Sequence, residues 1–137
     1  MSKKTFSTKG TLLTSIIADE TTVTGFLLTG MGERNRKQQC NFAVVNKDTT
    51  DGDIEKALRD LLARQDIGII LIGQEVAERV RNVVTEHEEI IPTILEIPSK
   101  NNPYDPEKDP IVLRAAQILW GSDTGLEKLR ELSGNKK

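Results

Sequence analysis

A small doubly wound α/β fold, with four parallel strands and one further helix suited to a partner, is the class this sequence predicts. Three observations predict it. Short apolar runs rich in β-branched residues recur at 12–18, 42–45, 67–72 and 93–97, the mark of strands covered on both faces. Helix-period segments lie between these runs, and strand alternating with helix calls for right-handed crossovers and a parallel sheet. The 137 residues suit one ordinary domain, at roughly 150 residues each.

Each element carries its own signal. Residues 1–10 are polar and lysine-bearing, a flexible lead-in, and the sheet domain spans 11–98. Leu12, Leu13, Ile16, Ile17 and Ala18 form the first strand. Asp19 offers a helix N-cap, and Val23, Phe26, Leu27 and Met31 trace a helical stripe that Gly30 and Gly32 stop. Residues 33–41 read as a loop before the second strand at 42–45. After the turn-rich stretch Asp48-Thr49-Thr50-Asp51-Gly52, with several possible caps, Ile54, Ala57, Leu58, Leu61 and Leu62 repeat at helical spacing. Gly73 closes the third strand. Val76, Val80, Val83 and Val84 then line one side of a single helix whose other side carries Glu78, Arg79, Arg81 and Asn82. Pro98 ends the fourth strand. A second strand outside the first is the common solution for such a sheet, giving the flavodoxin-like order 2-1-3-4.

Composition excludes several classes. One cysteine, Cys40, and one histidine, His87, leave no disulfide or zinc scaffold. A net charge of -2 argues against a surface devoted to nucleic acid or anionic membrane. The longest strongly apolar run, 67–72, is far short of the ~20 residues that cross a bilayer. Thr14, Ser15, Asp19 and Glu20 interrupt or follow the first apolar stretch, so no signal peptide is readable, and the lone cysteine suits a reducing cytosol.

Ligand sites in such a sheet lie at the carboxyl ends of the strands, and these ends are sparsely equipped. Asp19 and Glu20 follow strand one, Asn46 and Lys47 strand two, Gly73, Gln74 and Glu75 strand three, and Pro98, Ser99 and Lys100 strand four. The acidic pair and the lysine resemble the metal-binding acids and lysine of phosphorylatable receiver domains. The slot for the phosphoryl-accepting Asp, however, holds Gly73 or Gln74, and helix capping by Asp19 and Glu20 is the plainer account. Gly30-Met31-Gly32 follows a helix stripe instead of opening a helix, so it is no dinucleotide fingerprint, and no Walker loop exists. His87 sits in the charged stretch Thr85-Glu86-His87-Glu88-Glu89 and reads as solvated; Cys40 reads as a small, partly buried hydrophobe. Neither a catalytic set, nor a metal site, nor a cofactor is expected.

The segment after strand four is the informative one. Pro98, at its edge, and Pro103, Pro106 and Pro110 stiffen a loop over 99–110, which either makes functional contacts through Ser99, Lys100, Tyr104 and Asp105 or simply connects strand to helix. Pro110 suits the first turn of a helix over 111–120, where only Arg114 and Gln117 are polar. At about 100° per residue, Ile111, Val112, Ala115, Ile118 and Leu119 share one side, and Leu113, Ala116 and Trp120 another. A helix apolar on two sides either docks on a partner through Ile111, Leu113, Arg114, Ile118, Leu119 and Trp120 or is covered by the polar tail, 121–137, folding back as a short helix over 125–132.

Several stretches resemble the F subunits of vacuolar-type proton ATPases, in their eukaryotic form: Ile17-Ala18-Asp19-Glu20-Thr21-Thr22-Val23-Thr24-Gly25-Phe26-Leu27-Leu28, Asn41-Phe42-Ala43-Val44-Val45, Asp66-Ile67-Gly68-Ile69-Ile70-Leu71-Ile72, and above all Leu95-Glu96-Ile97-Pro98-Ser99-Lys100 followed by Pro103-Tyr104-Asp105-Pro106 and Lys108-Asp109. The match runs from about Leu12 to Trp120 and departs in the lead-in and the tail. The resemblance implies a non-catalytic rotor component of the V-ATPase. Its sheet domain projects from a shaft, and its C-terminal helix lies along the coiled-coil D protein of that shaft, inside the hexamer of A and B subunits and beside the adaptor that joins the shaft to the membrane ring. It implies a cytoplasmic place, peripheral on the cytosolic face of endomembranes. Two other classes stay open on the residues alone: an inactive receiver-like signalling module, which would bind Mg²⁺ at Asp19 and Glu20, and a small-molecule binder with a pocket at the strand ends.

Overall fold

The computed structural model describes residues 12–31 and 39–134. The expected lead-in over 1–10, Thr11, Gly32, loop residues 33–38 and the last three residues lie outside the described residues. The chain divides into two compact units, Met1–Asn102 and Pro103–Lys137.

In the first unit the elements run β1 (Leu13–Asp19), α1 (Glu20–Leu28), β2 (Phe42–Val45), α2 (Asp51–Ala63), β3 (Ile67–Gly73), α3 (Gln74–Arg79), α4 (Arg81–Glu86) and β4 (Thr93–Ile97). All three strand pairings are parallel and the order is β2-β1-β3-β4, as the sequence predicts. Alternation along the strands divides the core in two. Ile17, Ile70, Ile72 and Ile94 face Ile54, Leu58, Val80 and Val83 of the helices after β2. Ile16 and Ala18 face the other way, toward Val23, Phe26 and Leu27 of α1. Both faces of β1 are therefore filled, and on β3 one face is buried while the other is partly covered at Leu71 and open at Ile69, so both strands show apolar runs instead of alternation.

Local signals place the helix ends. Thr50 and Asp53 close a reciprocal capping box on α2. The first helix is shorter than its stripe suggests: α1 stops at Leu28, Gly30 takes φ +89° and donates its N–H to the Leu27 carbonyl, and Met31 lies beyond. The Met31 carbonyl instead accepts from the buried Asn41 side chain, which also donates to the Thr14 carbonyl and so anchors the start of β2 to β1.

Two expectations are corrected. The single helix expected over 76–84 is two, because Val80 (φ -124°, ψ 34°) breaks it; the break keeps Val83 and Val84 buried while carrying Arg81 to Glu96 on β4. His87 is not simply solvated, since its Nε2 lies 2.6 Å from the Pro92 carbonyl oxygen and the ring is half-buried.

The second unit contains a 3-10 turn at Pro106–Lys108, α5 (Pro110–Trp120) and α6 (Gly125–Leu132). The short helix that the sequence offers over 125–132 within the polar tail is present as α6, with those bounds.

Candidate partner-docking surface

At the strand ends, Asp19 is committed to structure. Its two carboxylate oxygens accept from the Thr22 N–H (3.2 Å) and the Thr22 hydroxyl (2.6 Å), capping α1. The Thr22 hydroxyl holds the Asp19 carboxyl below its ordinary value of 3.8; partial burial opposes this, while the Thr22 N–H, Thr21 and the Lys100 ammonium add to it. A carboxyl lowered in the folded state stabilises fully above its unfolded value, and that contribution is lost as pH falls through the lowered one. Asp19→Asn should therefore be less stable than the parent at pH 7, with the gap closing below about pH 4. Urea midpoints measured from pH 7 to pH 2.5 check this, and a constant gap refutes it.

The neighbouring groups are engaged in the same way. Arg79 donates to Asp51 (2.6 Å) and to the Thr49 carbonyl (2.7 Å), and the amide of Gln74, in the phosphoryl-acceptor slot, donates to Glu96 (2.9 Å). The crevice between Asp19, Thr22, Gly73, Arg79 and Ser99 encloses about 150 Å³, below the ~300–1,000 Å³ of small-molecule sites. Among the described residues, no group of three or more His, Cys, Asp and Glu side chains is gathered for a metal. No helix among them is long and apolar enough to cross a membrane.

The loop residues singled out in the sequence split between the two units. Ser99 Oγ accepts from the N–H groups of Asn101 and Asn102, the Asn102 amide donates to Glu75, and Lys100 Nζ lies 3.5 Å from Thr21 Oγ1. This half of the loop is pinned to the sheet unit. In the second unit Asp105 caps the 3-10 turn through the Glu107 N–H, and the Tyr104 hydroxyl donates to Asp109 Oδ2 (2.6 Å). The other Asp109 oxygen caps α5 at the Ile111 N–H, and Pro110 occupies the first turn. Tyr104 thus holds the cap of α5, while Asp105 caps the turn before it.

Helix α5 presents the largest open apolar area of this unit. Ile118 is 80% exposed, Leu119 71% and Leu132 of α6 70%, with Ile111, Trp120 and Leu126 each above a third. The two apolar sides of α5 are treated differently. Ala116 is buried and Leu113 half-buried, whereas Ile118 and Leu119 stand open and Arg114 is exposed beside them. The cause is α6, whose first residue, Gly125, meets the α5 backbone: a Cβ there would lie 2.8 Å from the Ala116 carbonyl oxygen. Leu129, one turn on, is the large side chain that α6 buries. Burying it stabilises by about 1.5–3 kcal/mol, and the half-exposed Arg130–Glu107 ion pair (3.1 Å) adds about 1 kcal/mol at most. An eight-residue helix has little stability of its own to add.

Sequence reasoning found five of the exposed α5 positions and missed two features. The Gly125–Ala116 contact was signalled only by a glycine ahead of the amphipathic Leu126-Glu127-Lys128-Leu129-Arg130. The buried Glu96–Gln74–Arg81 cluster was signalled by one acid inside an apolar strand.

Comparison with known proteins names the family that carries this architecture. The model of the family described as "ATP synthase (F/14-kDa) subunit" matches residues 15–114. The F subunit of the V-type proton ATPase of Homo sapiens is 52% identical over 111 residues, 81% of this chain and 93% of its own. The F subunit of Xenopus laevis is 54% identical over 108 residues (79% and 98%), and that of Dictyostelium discoideum 46% over 119 residues (87% and 98%). Among solved structures, the F subunit of the V-type ATP synthase of Archaeoglobus fulgidus aligns with 64% of this chain and 99% of its own at 25% identity, with a TM-score of 0.47. Near-complete coverage of close relatives, with a family match spanning both the sheet and the start of α5, leads to one conclusion: the chain belongs to the family of ATP synthase (F/14-kDa) subunits, together with the F subunits of V-type proton ATPases.

Proposed function

We propose that this chain is a non-catalytic central-stalk component of the V1 sector of a V-type proton ATPase. It docks through α5 on the coiled-coil D protein of the shaft and helps couple ATP hydrolysis to proton transport. The observation that carries the reading is the open apolar side of α5, where Ile118 and Leu119 are exposed side by side on a capped, proline-started helix. An apolar surface of this kind on a chain whose relatives are ATPase subunits calls for a protein partner, and a coiled coil offers a complementary apolar seam. The A and B subunits and the membrane-ring adaptor are its neighbours, and the complex holds it peripherally at the cytosolic face of the membrane. Acidic and polar groups at the strand ends serve capping and pairing, which fits a coupling part better than an enzyme.

Affinity capture of the tagged chain from its own solubilised membranes tests this. Recovery of the A, B and D subunits is the expected result; recovery of none of them overturns it.

A further inference from the structure

We infer that the open side of α5 carries one hole for a coiled-coil knob, formed by Ile111, Arg114, Ala115 and Ile118, and that the partner fills it with a large aliphatic side chain flanked by an acidic residue. The inference rests on the docking reading above and names the chemistry the partner presents there. A coiled coil seats each apolar knob of one helix among four residues of the other, spaced i, i+3, i+4 and i+7. Four such sets fit within Pro110–Trp120, beginning at residues 110, 111, 112 and 113. Three of them contain a residue that the chain's own packing covers wholly or in part. The sets beginning at 112 and 113 include the buried Ala116, and the set beginning at 110 includes the half-buried Leu113. Only the set beginning at 111 has all four members exposed, Ile111 at 39% and Ile118 at 80%. No further set continues it, since Gly121 takes φ +87° and the helix ends before Ser122.

The four residue types fit one kind of occupant. Ile111 and Ile118 stand about 10.5 Å apart along the helix axis and wall the hole at its two ends. Ala115, between them, brings only a methyl group, which leaves room above it for a leucine-sized side chain. Arg114 lines the other flank with its apolar stem and carries its charge at the rim. It is the single charged residue of α5, so charge complementarity calls for an acid beside the knob. A featureless apolar patch would accept many surfaces. Isoleucine walls, an alanine flank and a cationic rim instead select a helix with Leu, Ile or Met next to Asp or Glu.

The test uses the full-length chain and the recombinant coiled-coil D protein, with Kd measured by calorimetry. Ala115→Leu and Ala115→Met fill the hole from within, and each should weaken binding about 10-fold or more although it adds apolar surface. Both new residues are good helix formers at an exposed position, so the fold is kept, which circular dichroism checks. Gln117→Leu adds apolar surface at an exposed position outside the hole and should stay within about 3-fold of the parent. Arg114→Glu should weaken binding about 10-fold at low salt, with the loss shrinking as salt is raised. Binding by both Ala115 variants as tight as the parent's or tighter, or an equal loss in Gln117→Leu, overturns the hole while the docking reading stands. Tighter binding by Arg114→Glu overturns the acidic neighbour. No binding by the parent overturns the docking reading and the hole with it.

Discussion

Replacing Glu96 by alanine should destabilise the protein by about 3–5 kcal/mol, the largest effect expected of any single polar substitution in the sheet unit. Glu96 lies on β4 with its side chain 1% exposed, where one carboxylate oxygen pairs with Arg81 Nη1 and the other accepts from the Gln74 amide at 2.9 Å. Removing the carboxylate strands a guanidinium, one nitrogen of which is already buried without a partner, and an amide in a site with little water to replace it. Replacing both ends of the ion pair, by Glu96→Leu with Arg81→Met, should cost far less than the single change, because no uncompensated charge is left. Urea denaturation of the two singles and the double measures the coupling. A loss below about 1 kcal/mol for Glu96→Ala would show that the pair contributes nothing net.

The second large effect concerns association. Ile118→Asp combined with Leu119→Asp should weaken binding to the coiled-coil D protein by about 100-fold or more, the scale of losing a pair of interface hot spots. Folding should be untouched, since both side chains are more than two-thirds exposed and surface changes away from packed features cost about 0.5 kcal/mol or less. Leu113 is a poorer probe: it is half-buried, so a charge there also disturbs the unit's own packing. Calorimetric titration of the doubly substituted chain, with circular dichroism to confirm its helix content, decides the matter. Unchanged affinity removes this side of α5 from the interface.

The sheet was legible because its signals are local. Short runs of apolar, β-branched residues mark strands even at the sheet's edges, and 42–45 and 93–97 coincide with β2 and β4, although Val44 and Leu95 on these edge strands stay exposed. Asp19 and Asp109 sit one residue ahead of their helices and cap them. The break at Val80 was not legible, for neither glycine nor proline marks it. It is favoured by a tertiary contact, Arg81 with Glu96, formed 15 residues further along the chain. On α5 the residue types showed two apolar sides, but which one stays open depends on the Gly125–Ala116 approach, and no periodicity within α5 carries that information. Glu96 marked its own site by being an acid among Leu95 and Ile97, yet its partners lie on α3 and at the start of α4.

The boundary between Asn102 and Pro103 also bears on the order in which the molecule is made. All four strands precede it, and units fold as their residues leave the ribosome, the amino-terminal one first. At about 5–20 residues per second, the segment from Pro103 to Lys137 follows within roughly two to seven seconds. The open apolar side of α5 is therefore synthesised after every strand of the sheet that would otherwise compete for its side chains. Moving the α5 sequence to the amino terminus would reverse that schedule and expose Ile118 and Leu119 to a half-made core.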